Sequence, residues 1–208
     1  MSSVVDLGCG TGLITCELAR RGHRMIGVEP SAAMLEIARR RPDADQVTWI
    51  CGDYDRVGTP DVDLAIMSGH VAQFFVDDES WQAMLAAVYA ALRPGGKLAF
   101  ESRNPLARAW EQWTPGARVS VHDPVVGRID TWAEVADVTN DVVSYTNHYL
   151  FADRDEELLS PLRLRFRTLE ELTRTLAGAG FAVEAVYGDW DRRPATRATR
   201  ELVVVARR

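Results

Sequence analysis

The chain has 208 residues, of which 47% are hydrophobic, and this is enough for one sizeable core. It carries 24 lysines and arginines against 30 aspartates and glutamates, a formal net charge of −6 with both signs mixed, which argues against a nucleic-acid-binding protein. No apolar run reaches the roughly 18 residues of a membrane span, and the first residues lack the segments of a secretory signal, so we expect a cytoplasmic protein with no membrane contact.

The first hundred residues alternate between strand-like and helix-like segments. Apolar residues at helical spacing predict the helices, and capping or breaking residues such as Gly22, Ser31 and Pro42 mark their ends. The predicted order is strand 3–7, helix 11–21, strand 24–28, helix 31–41, strands 46–51 and 62–67, helix 78–92 and strand 97–101. This alternation favours a parallel sheet covered on both faces, with the ligand at the carboxyl ends of its strands.

The pattern changes between residues 104 and 167, where strand-like alternation replaces helical spacing. We interpret 104–167 as an antiparallel β meander inserted beside the ligand edge, on the substrate side, so that 1–208 forms a single domain. The α/β pattern then resumes. Thr168 and Glu171 match a capping box at the start of helix 168–179, and strands 181–187 and 201–206 follow.

The stretch VVDLGCGTG, residues 4–12, joins the first predicted strand to the first predicted helix. Its glycines allow left-handed backbone and bring the main chain close to a ligand, at which the helix points its N–H groups. A dinucleotide-binding loop reads G-x-G-x-x-G, but counting from Gly8 the third position is Leu13. Asp6, two residues ahead of Gly8, favours a ligand with positive charge and an amino group over a phosphate.

VVDLGCGTG resembles motif I of the class I S-adenosylmethionine-dependent methyltransferases. The later segments GVEPS, CGDYD, MSGH and LRPGGKLAFE agree with this family in order and spacing, so the resemblance covers residues 4–101 and the closing helix and strands. It implies a Rossmann-like, seven-stranded α/β sheet that is mostly parallel, with an antiparallel last strand. It also implies S-adenosyl-L-methionine as the cofactor and a small molecule as the methyl acceptor.

The resemblance also implies the roles of individual residues. Glu29 would hold both ribose hydroxyls, Asp53 would accept the adenine amino group, and Tyr54 and Met34 would lie on the two sides of the adenine ring. The positions assigned to the cofactor are Asp6, Gly8, Cys9, Gly10, Gly12, Glu29, Pro30, Met34, Asp53, Tyr54, Ser68 and Gly69. Structural roles stay open beside these: a loop cap for Asp6, a solvated strand end for Glu29, a turn residue for Asp53 and core packing for Met34.

Methyl transfer from a sulfonium is an in-line displacement, in which alignment contributes more than a dedicated base. His70 after the fourth strand is a candidate base or orienting group, and Glu101 and Arg103 end the fifth strand at the same edge. Arg103 could clamp a carboxylate or phosphate of the acceptor. The alternatives are a loop histidine held by hydrogen bonds and a salt bridge from Arg103 to Glu101 or to the insertion. No cluster of metal-ligand spacing indicates a metal site.

Two further groups in the insertion carry open interpretations. Trp110 and Trp113 could form aromatic walls for a flat or cationic acceptor, or they could pack the insertion. The arginines of LRLRFR share one face of a strand, and we expect that face to be solvated, with anion binding as the alternative.

Family members normally carry one or more helices before motif I, whereas three residues precede it here. We expect a start assigned too late, an open site, or a lid from a partner such as a second copy of the chain. The leading prediction is methyl transfer to an oxygen or nitrogen atom of a small molecule. The alternatives are an NAD(P)-dependent oxidoreductase on a similar sheet and a non-catalytic cofactor-binding or interaction protein.

Overall fold

The computed structural model describes residues 1–154 and 156–208, which form two β-sheets and four α-helices within these ranges. The strands are β1 (Ser3–Leu7), β2 (Arg24–Glu29), β3 (Val47–Cys51), β4 (Val62–Met67), β5 (Leu92–Arg103), β6 (Val119–Asp123), β7 (Gly127–Thr139), β8 (Val142–Phe151), β9 (Glu156–Arg165), β10 (Ala182–Tyr187) and β11 (Glu201–Arg207). The helices are α1 (Leu13–Arg20), α2 (Ala32–Ala38), α3 (Asp78–Ala91) and α4 (Leu169–Gly178). None of the helices in the described ranges combines the length and apolar character that crossing a membrane requires.

The larger sheet has seven strands in the order β10-β11-β5-β4-β1-β2-β3. The pairs among β1 to β5 are parallel, while β11 pairs antiparallel with both β5 and β10. This confirms the predicted sheet, mostly parallel with an antiparallel last strand. Because β1 and β11 are both interior strands, the first and last strands of the described chain belong to the same sheet.

The core lies on both faces of this sheet, because successive side chains of a strand point to opposite sides. Val5 of β1 packs into the main cluster with Trp81, Leu85 and Leu172 of α3 and α4, whereas Val4 packs on the other face. Trp81 is fully buried, and its indole Nε1 donates to Thr175 Oγ1 at 3.0 Å, which joins α3 to α4. The apolar stripe of α3 therefore packs as its spacing predicted.

The smaller sheet has the order β6-β7-β8-β9 and is antiparallel throughout, as predicted for residues 104–167. Strands β7 and β8 are joined by Asn140 and Asp141, both with positive φ, as a two-residue hairpin requires. Val143 and Leu164, on neighbouring strands, are buried against Phe166. The apolar face of the smaller sheet is thus attached to the chain that leads into α4.

Three elements have a boundary more than one residue from the predicted one, each for a local reason, and most of the other elements differ by at most one residue. Helix α1 begins at Leu13 because Gly12 has φ +75° and cannot belong to the helix. Helix α2 ends at Ala38 instead of Arg41, after which the chain turns. Strand β5 begins at Leu92, which pairs with Val62, and the register then shifts before Lys97.

The arginines of LRLRFR do not share a solvated face. Strand β9 ends at Arg165, and Arg167 beyond it is only 2% exposed. Its guanidinium donates to the carbonyl oxygens of Phe75 at 2.7 Å and Asp77 at 3.3 Å and lies 4.7 Å from the ring centroid of Trp81. Arg167 thus links the segment after the smaller sheet to the start of α3.

We expect Arg167→Ala to lower the free energy of unfolding by about 2–4 kcal/mol, because two carbonyls lose a charged donor and a cation–π contact disappears. Chemical denaturation at pH 7 measures this change. Arg163→Ala is the matched control, since Arg163 is exposed on β9 and its loss should change stability by less than about 0.5 kcal/mol. Equal losses in the two variants would contradict the link.

Candidate active site

The residues that the sequence assigned to the site come together at one edge of the larger sheet. Parallel pairing brings the carboxyl ends of β1 to β5 to the same side. The assigned residues lie at these ends, in the loops that follow them, or, for Met34, in the first turn of α2. The fold therefore supports one shared site for them.

The glycine loop turns sharply at this edge. Gly8, Gly10 and Gly12 have φ values of +68°, +55° and +75°, and the N–H groups of Gly8 and Cys9 both donate to the carbonyl oxygen of Val28. A Cβ added to Gly10 would meet only the sulfur of Met34, at 3.9 Å. The backbone at Gly10 therefore faces open space beside an exposed thioether, as a bound ligand requires.

The close packing behind the loop depends on Gly12. A Cβ on Gly12 would lie 2.7 Å from the indole of Trp49 and 2.9 Å from Cβ of Ala38, so only glycine lets α1 approach β3 and α2 this closely. Leu13, at the position of the third glycine in a dinucleotide loop, is 65% exposed. The glycine that allows close packing therefore stands at a different position here than in a G-x-G-x-x-G loop.

Glu29 connects the glycine loop to α2. Its carboxylate is buried, with Oε2 accepting the Gly10 N–H at 3.0 Å and Oε1 accepting the Ser31 N–H at 3.0 Å. A carboxylate offers about four lone-pair sites, so two stay available for hydroxyl donors. Glu29 is therefore not a solvated strand end, and it can hold the loop and a ligand together.

Asp6 is 1% exposed at the end of β1. Oδ2 accepts the hydroxyl of Thr15 at 2.6 Å, while Oδ1 is buried without a hydrogen-bond partner in the described part of the chain. Burial raises the pKa of Asp6 to about 6, the Thr15 hydrogen bond opposes this rise, and the charges of Glu29 and Glu101 add to it. An unpaired buried oxygen here fits an N–H donor from a ligand.

The residues assigned to adenine lie at the next strand ends. Asp53 is exposed, and its Oδ1 accepts the Tyr54 N–H at 2.7 Å. The Tyr54 ring is half-buried, with its centroid 5.8 Å from that of Phe75. Met34 is 45% exposed, so it is not ordinary core. A flat ring bound between the glycine loop and Tyr54 would find carboxylate, aromatic and thioether groups there.

Ser68 and Gly69 follow β4 and lead to His70, which has φ +64°. The His70 N–H donates to Oε1 of Glu101 at 2.8 Å, and its Nε2 lies 3.0 Å from Oε2 of Glu201 on β11. The imidazole is therefore held by hydrogen bonding, in line with the alternative that the sequence left open. Glu201 carried no sequence signal for this role, because it lies 131 positions away.

Arg103 is directed by a residue that the sequence analysis missed. Its Nη1 donates to Oε1 of Gln73 at 3.0 Å, and its guanidinium carbon lies 5.3 Å from the ring centroid of Trp113. Burial lowers the pKa of Arg103, and the nearby Glu201 and Tyr145 act against this decrease. Gln73 is fully buried, and a neutral amide in a short turn offers no pattern that would reveal it.

The two tryptophans of residues 104–167 pack within that segment. The Trp110 ring lies 4.5 Å from Phe166, and the Trp113 ring lies 4.7 Å from Tyr145. Tyr145 shares its face of β8 with Asn147 and Tyr149 by alternation, and burial raises the pKa of its hydroxyl. This half-buried polar row next to Arg103 was not assigned to the site, although its shared parity was visible in the sequence.

Cys9 does not add a nucleophile to the site. Burial raises the pKa of its thiol to about 12, and the charges of Asp6 and Glu29 act in the same direction. A neutral thiol of this kind serves as a small apolar side chain in the loop.

Residues 4–96 match a family model described as a methyltransferase domain. A cypemycin N-terminal methyltransferase from a Streptomyces species is 30% identical over 213 residues, which cover 99% of this chain and 83% of that relative. A malonyl-acyl-carrier-protein O-methyltransferase from Yersinia pestis is 32% identical over 114 residues, 52% of this chain, and the match spans 41% of that relative's length.

Among solved structures, an S-adenosylmethionine-bound amino pentose methyltransferase from Micromonospora echinaspora aligns with a TM-score of 0.72 at 24% identity. The alignment covers 100% of this chain and 83% of that one, and at this identity it establishes the fold. The cypemycin relative aligns over nearly the whole chain, and the glycine loop and the strand order agree with the same family. The chain belongs to the class I S-adenosylmethionine-dependent methyltransferases, whose cofactor is S-adenosyl-L-methionine.

Proposed function

We propose that this protein transfers the methyl group of S-adenosylmethionine to an oxygen or nitrogen atom of a small molecule. The observation that carries this proposal is the edge at β1 and β2. There Gly10 faces open space, Glu29 has lone pairs left for hydroxyl donors, and Asp6 presents a buried oxygen without a partner. Gly10 leaves room for the cofactor beside the backbone, Glu29 can accept from its ribose hydroxyls, and Asp6 can accept from its amino group.

Each part of the chain at this edge has a role in the proposal. Glu29 accepts the ribose hydroxyls, Asp53 accepts the adenine amino group, and Tyr54 and Met34 lie against the ring. Asp6 accepts from the amino group of the methionine part. Gly8, Cys9, Gly10 and Gly12 of the loop, with Pro30, Ser68 and Gly69, line the remainder. When bound, the cofactor supplies a methyl group activated by its sulfonium, so the protein's task is alignment.

The acceptor side is formed by the ends of β4 and β5 and by residues 104–167, which we propose as a substrate-side insertion in a single domain, 1–208. His70, Glu101 and Arg103 face this side from the larger sheet. Tyr145 reaches it from β8, where it contacts Trp113 beneath Arg103. The relatives include an O-methyltransferase and an N-terminal methyltransferase, which supports both kinds of accepting atom.

A melting experiment tests cofactor binding directly. We expect S-adenosylmethionine and S-adenosylhomocysteine, each at a hundred times its Kd, to add about 2.7 kcal/mol of stability. For a chain of this length that is a rise in Tm of roughly 5–10 °C. NADH at the same concentration serves as the control and should give no rise. A rise with NADH alone would contradict the proposal, as would binding without methyl transfer across broad panels of hydroxyl and amine acceptors.

Glu29→Gln removes the charge that holds the ribose and the loop. We expect the Kd for S-adenosylhomocysteine to rise about 10- to 100-fold, because hydrogen bonds to charged groups contribute about 1.5–3 kcal/mol. Isothermal titration calorimetry measures this. Glu36→Gln, on the exposed face of α2, removes the same charge nearby and should change the Kd less than about twofold. Equal effects of the two substitutions would rule out a specific role for Glu29.

Asp6 predicts a pH dependence of binding. Its ionised carboxylate accepts from the cofactor's ammonium group, so affinity is full above a pKa of about 6 and is lost as the pH falls through it. Between pH 5 and pH 7 the ionised fraction, and with it the affinity for S-adenosylhomocysteine, should rise about tenfold. Titrations across this range should give a flat profile for Asp6→Asn, and an unchanged slope would assign the dependence to another group.

The unliganded protein should show the opposite sign. Since folding raises the pKa of Asp6 above its ordinary 3.8, the folded state binds the proton more tightly. The stability that Asp6 contributes is then full below about pH 4 and is lost as the pH rises through about 6. Comparing the unfolding of the natural chain and Asp6→Asn at pH 4 and pH 7 measures this difference.

A further inference from the structure

Glu101 presents the second unpaired carboxylate oxygen at this edge. The side chain lies at the end of β5 and is 4% exposed, and its Oε1 accepts the His70 N–H at 2.8 Å. Its Oε2 is buried and has no hydrogen-bond partner among residues 1–154 and 156–208. A buried carboxylate oxygen without a hydrogen bond costs free energy, so we expect a donor from a ligand to be its partner.

The neighbouring cation does not fill this need. Arg103 lies two residues along β5, but its Nη1 donates to Gln73 and its guanidinium lies over Trp113. Glu101 and Glu201 influence the guanidinium of Arg103 only through charge. Oε2 of Glu101 is thus left for a donor that the described residues do not provide.

The position of Glu101 places this oxygen on the acceptor side. In the sheet, β4 separates β5 from β1, and the pairs Asp6–Ile66 and Met67–Phe100 bring Asp6 and Glu101 to the same end of the sheet. On its other side Glu101 acts on Arg103, which lies beside Trp113 and Tyr145 of the insertion region. Glu101 therefore lies between the carboxylate that faces the cofactor and the aromatic groups that face the acceptor.

We propose that Glu101 holds the acceptor of the methyl group and that this acceptor is an amine, bound as an ammonium through Oε2. The proposal rests on the proposed function and narrows its oxygen-or-nitrogen acceptor to nitrogen. Asp6 and Glu201 add negative charge on the two sides of Glu101, and Arg103, whose guanidinium is already held by Gln73, adds positive charge; the two added carboxylates favour a cation here.

The same carboxylate accounts for the proton. An ammonium has no lone pair, so one N–H proton passes to Oε2 of Glu101 before the nitrogen can attack. The nitrogen lone pair then forms the new N–C bond while the S–C bond of the cofactor breaks, and that electron pair stays on sulfur as a neutral thioether. The methylated product leaves as an ammonium, and Glu101 returns its proton to solvent.

Sinefungin tests this position without needing the acceptor. It is an analogue of S-adenosylmethionine in which an amine-bearing carbon replaces the methylated sulfonium, so its additional ammonium takes the position of the transferred methyl group, next to the acceptor atom. S-adenosylhomocysteine lacks that group but keeps the adenosine and the amino acid. Calorimetry with the whole chain should show sinefungin binding at least 10-fold more tightly than S-adenosylhomocysteine.

Glu101→Gln keeps the shape and the acceptor for the His70 N–H but removes the charge. We expect it to reduce the preference for sinefungin at least 10-fold, with the Kd for S-adenosylhomocysteine changed less than twofold. Glu184→Gln is the matched control, because it removes one charge from β10 of the same sheet, where Glu184 pairs with Lys97 and Arg207. The control should keep the natural preference.

Three results would overturn the proposal. A natural chain that binds S-adenosylhomocysteine as tightly as sinefungin has no site for the ammonium, and this needs no variant. A Glu101→Gln variant that loses both ligands equally shows Glu101 holding the cofactor instead. A variant that loses S-adenosylmethionine as strongly as sinefungin shows a counter-ion for the sulfonium. If none of the three ligands binds the natural chain, the proposed function fails as well. A melting scan checks folding, and Glu101→Asp, which keeps the charge, should retain part of the preference.

Discussion

The carboxylate of Glu29 fixes the geometry of the proposed cofactor edge, which consists of the glycine loop and the start of α2. By accepting N–H groups from Gly10 and Ser31, it joins a loop that has no regular structure of its own to the first turn of a helix. One buried side chain accepts both backbone N–H groups, which would otherwise need hydrogen bonds to water. This stabilises one conformation of the loop. Gly12 then allows α1 to approach Trp49 and Ala38, and the loop is supported from behind.

The proposed acceptor edge, at the ends of β4 and β5, depends on a different kind of support. Gln73 receives a hydrogen bond from Arg103 of β5 and donates to the carbonyl oxygen of Arg165 on β9, so one neutral amide joins the two sheets. Arg167 makes a second connection a few residues later. Both links are buried, and polar groups in such places have well-defined partners because unpaired alternatives are costly. The position of the smaller sheet relative to the larger one therefore depends on these buried, directional contacts.

These two edges differ in how far the sequence predicted them. The cofactor edge follows from local pattern: the spacing of Gly8, Gly10 and Gly12, the acid at Glu29 and the cap at Ser31 are all short-range signals, and the strand order follows from the alternation. The contacts at the acceptor edge are long-range. Glu201 hydrogen-bonds with His70, and Arg167, beyond the end of β9, lies over the ring of Trp81. No periodicity in the sequence predicts either contact. Thr15 was missed for a related reason, since a helical threonine reveals its partner Asp6 only once β1 and α1 are packed.

The place of β11 has a consequence for how the protein is made. This strand, Glu201–Arg207, lies between β5 and β10 and supplies the glutamate that holds His70. During synthesis β1 to β5 emerge early and can pair, but β5 keeps an open edge of unpaired N–H and C=O groups until residues 201–207 leave the ribosome. About a hundred residues of translation separate these two moments. The nascent chain thus exposes the unpaired edge of β5 for seconds, and it becomes a working enzyme only after β11 has paired with that edge.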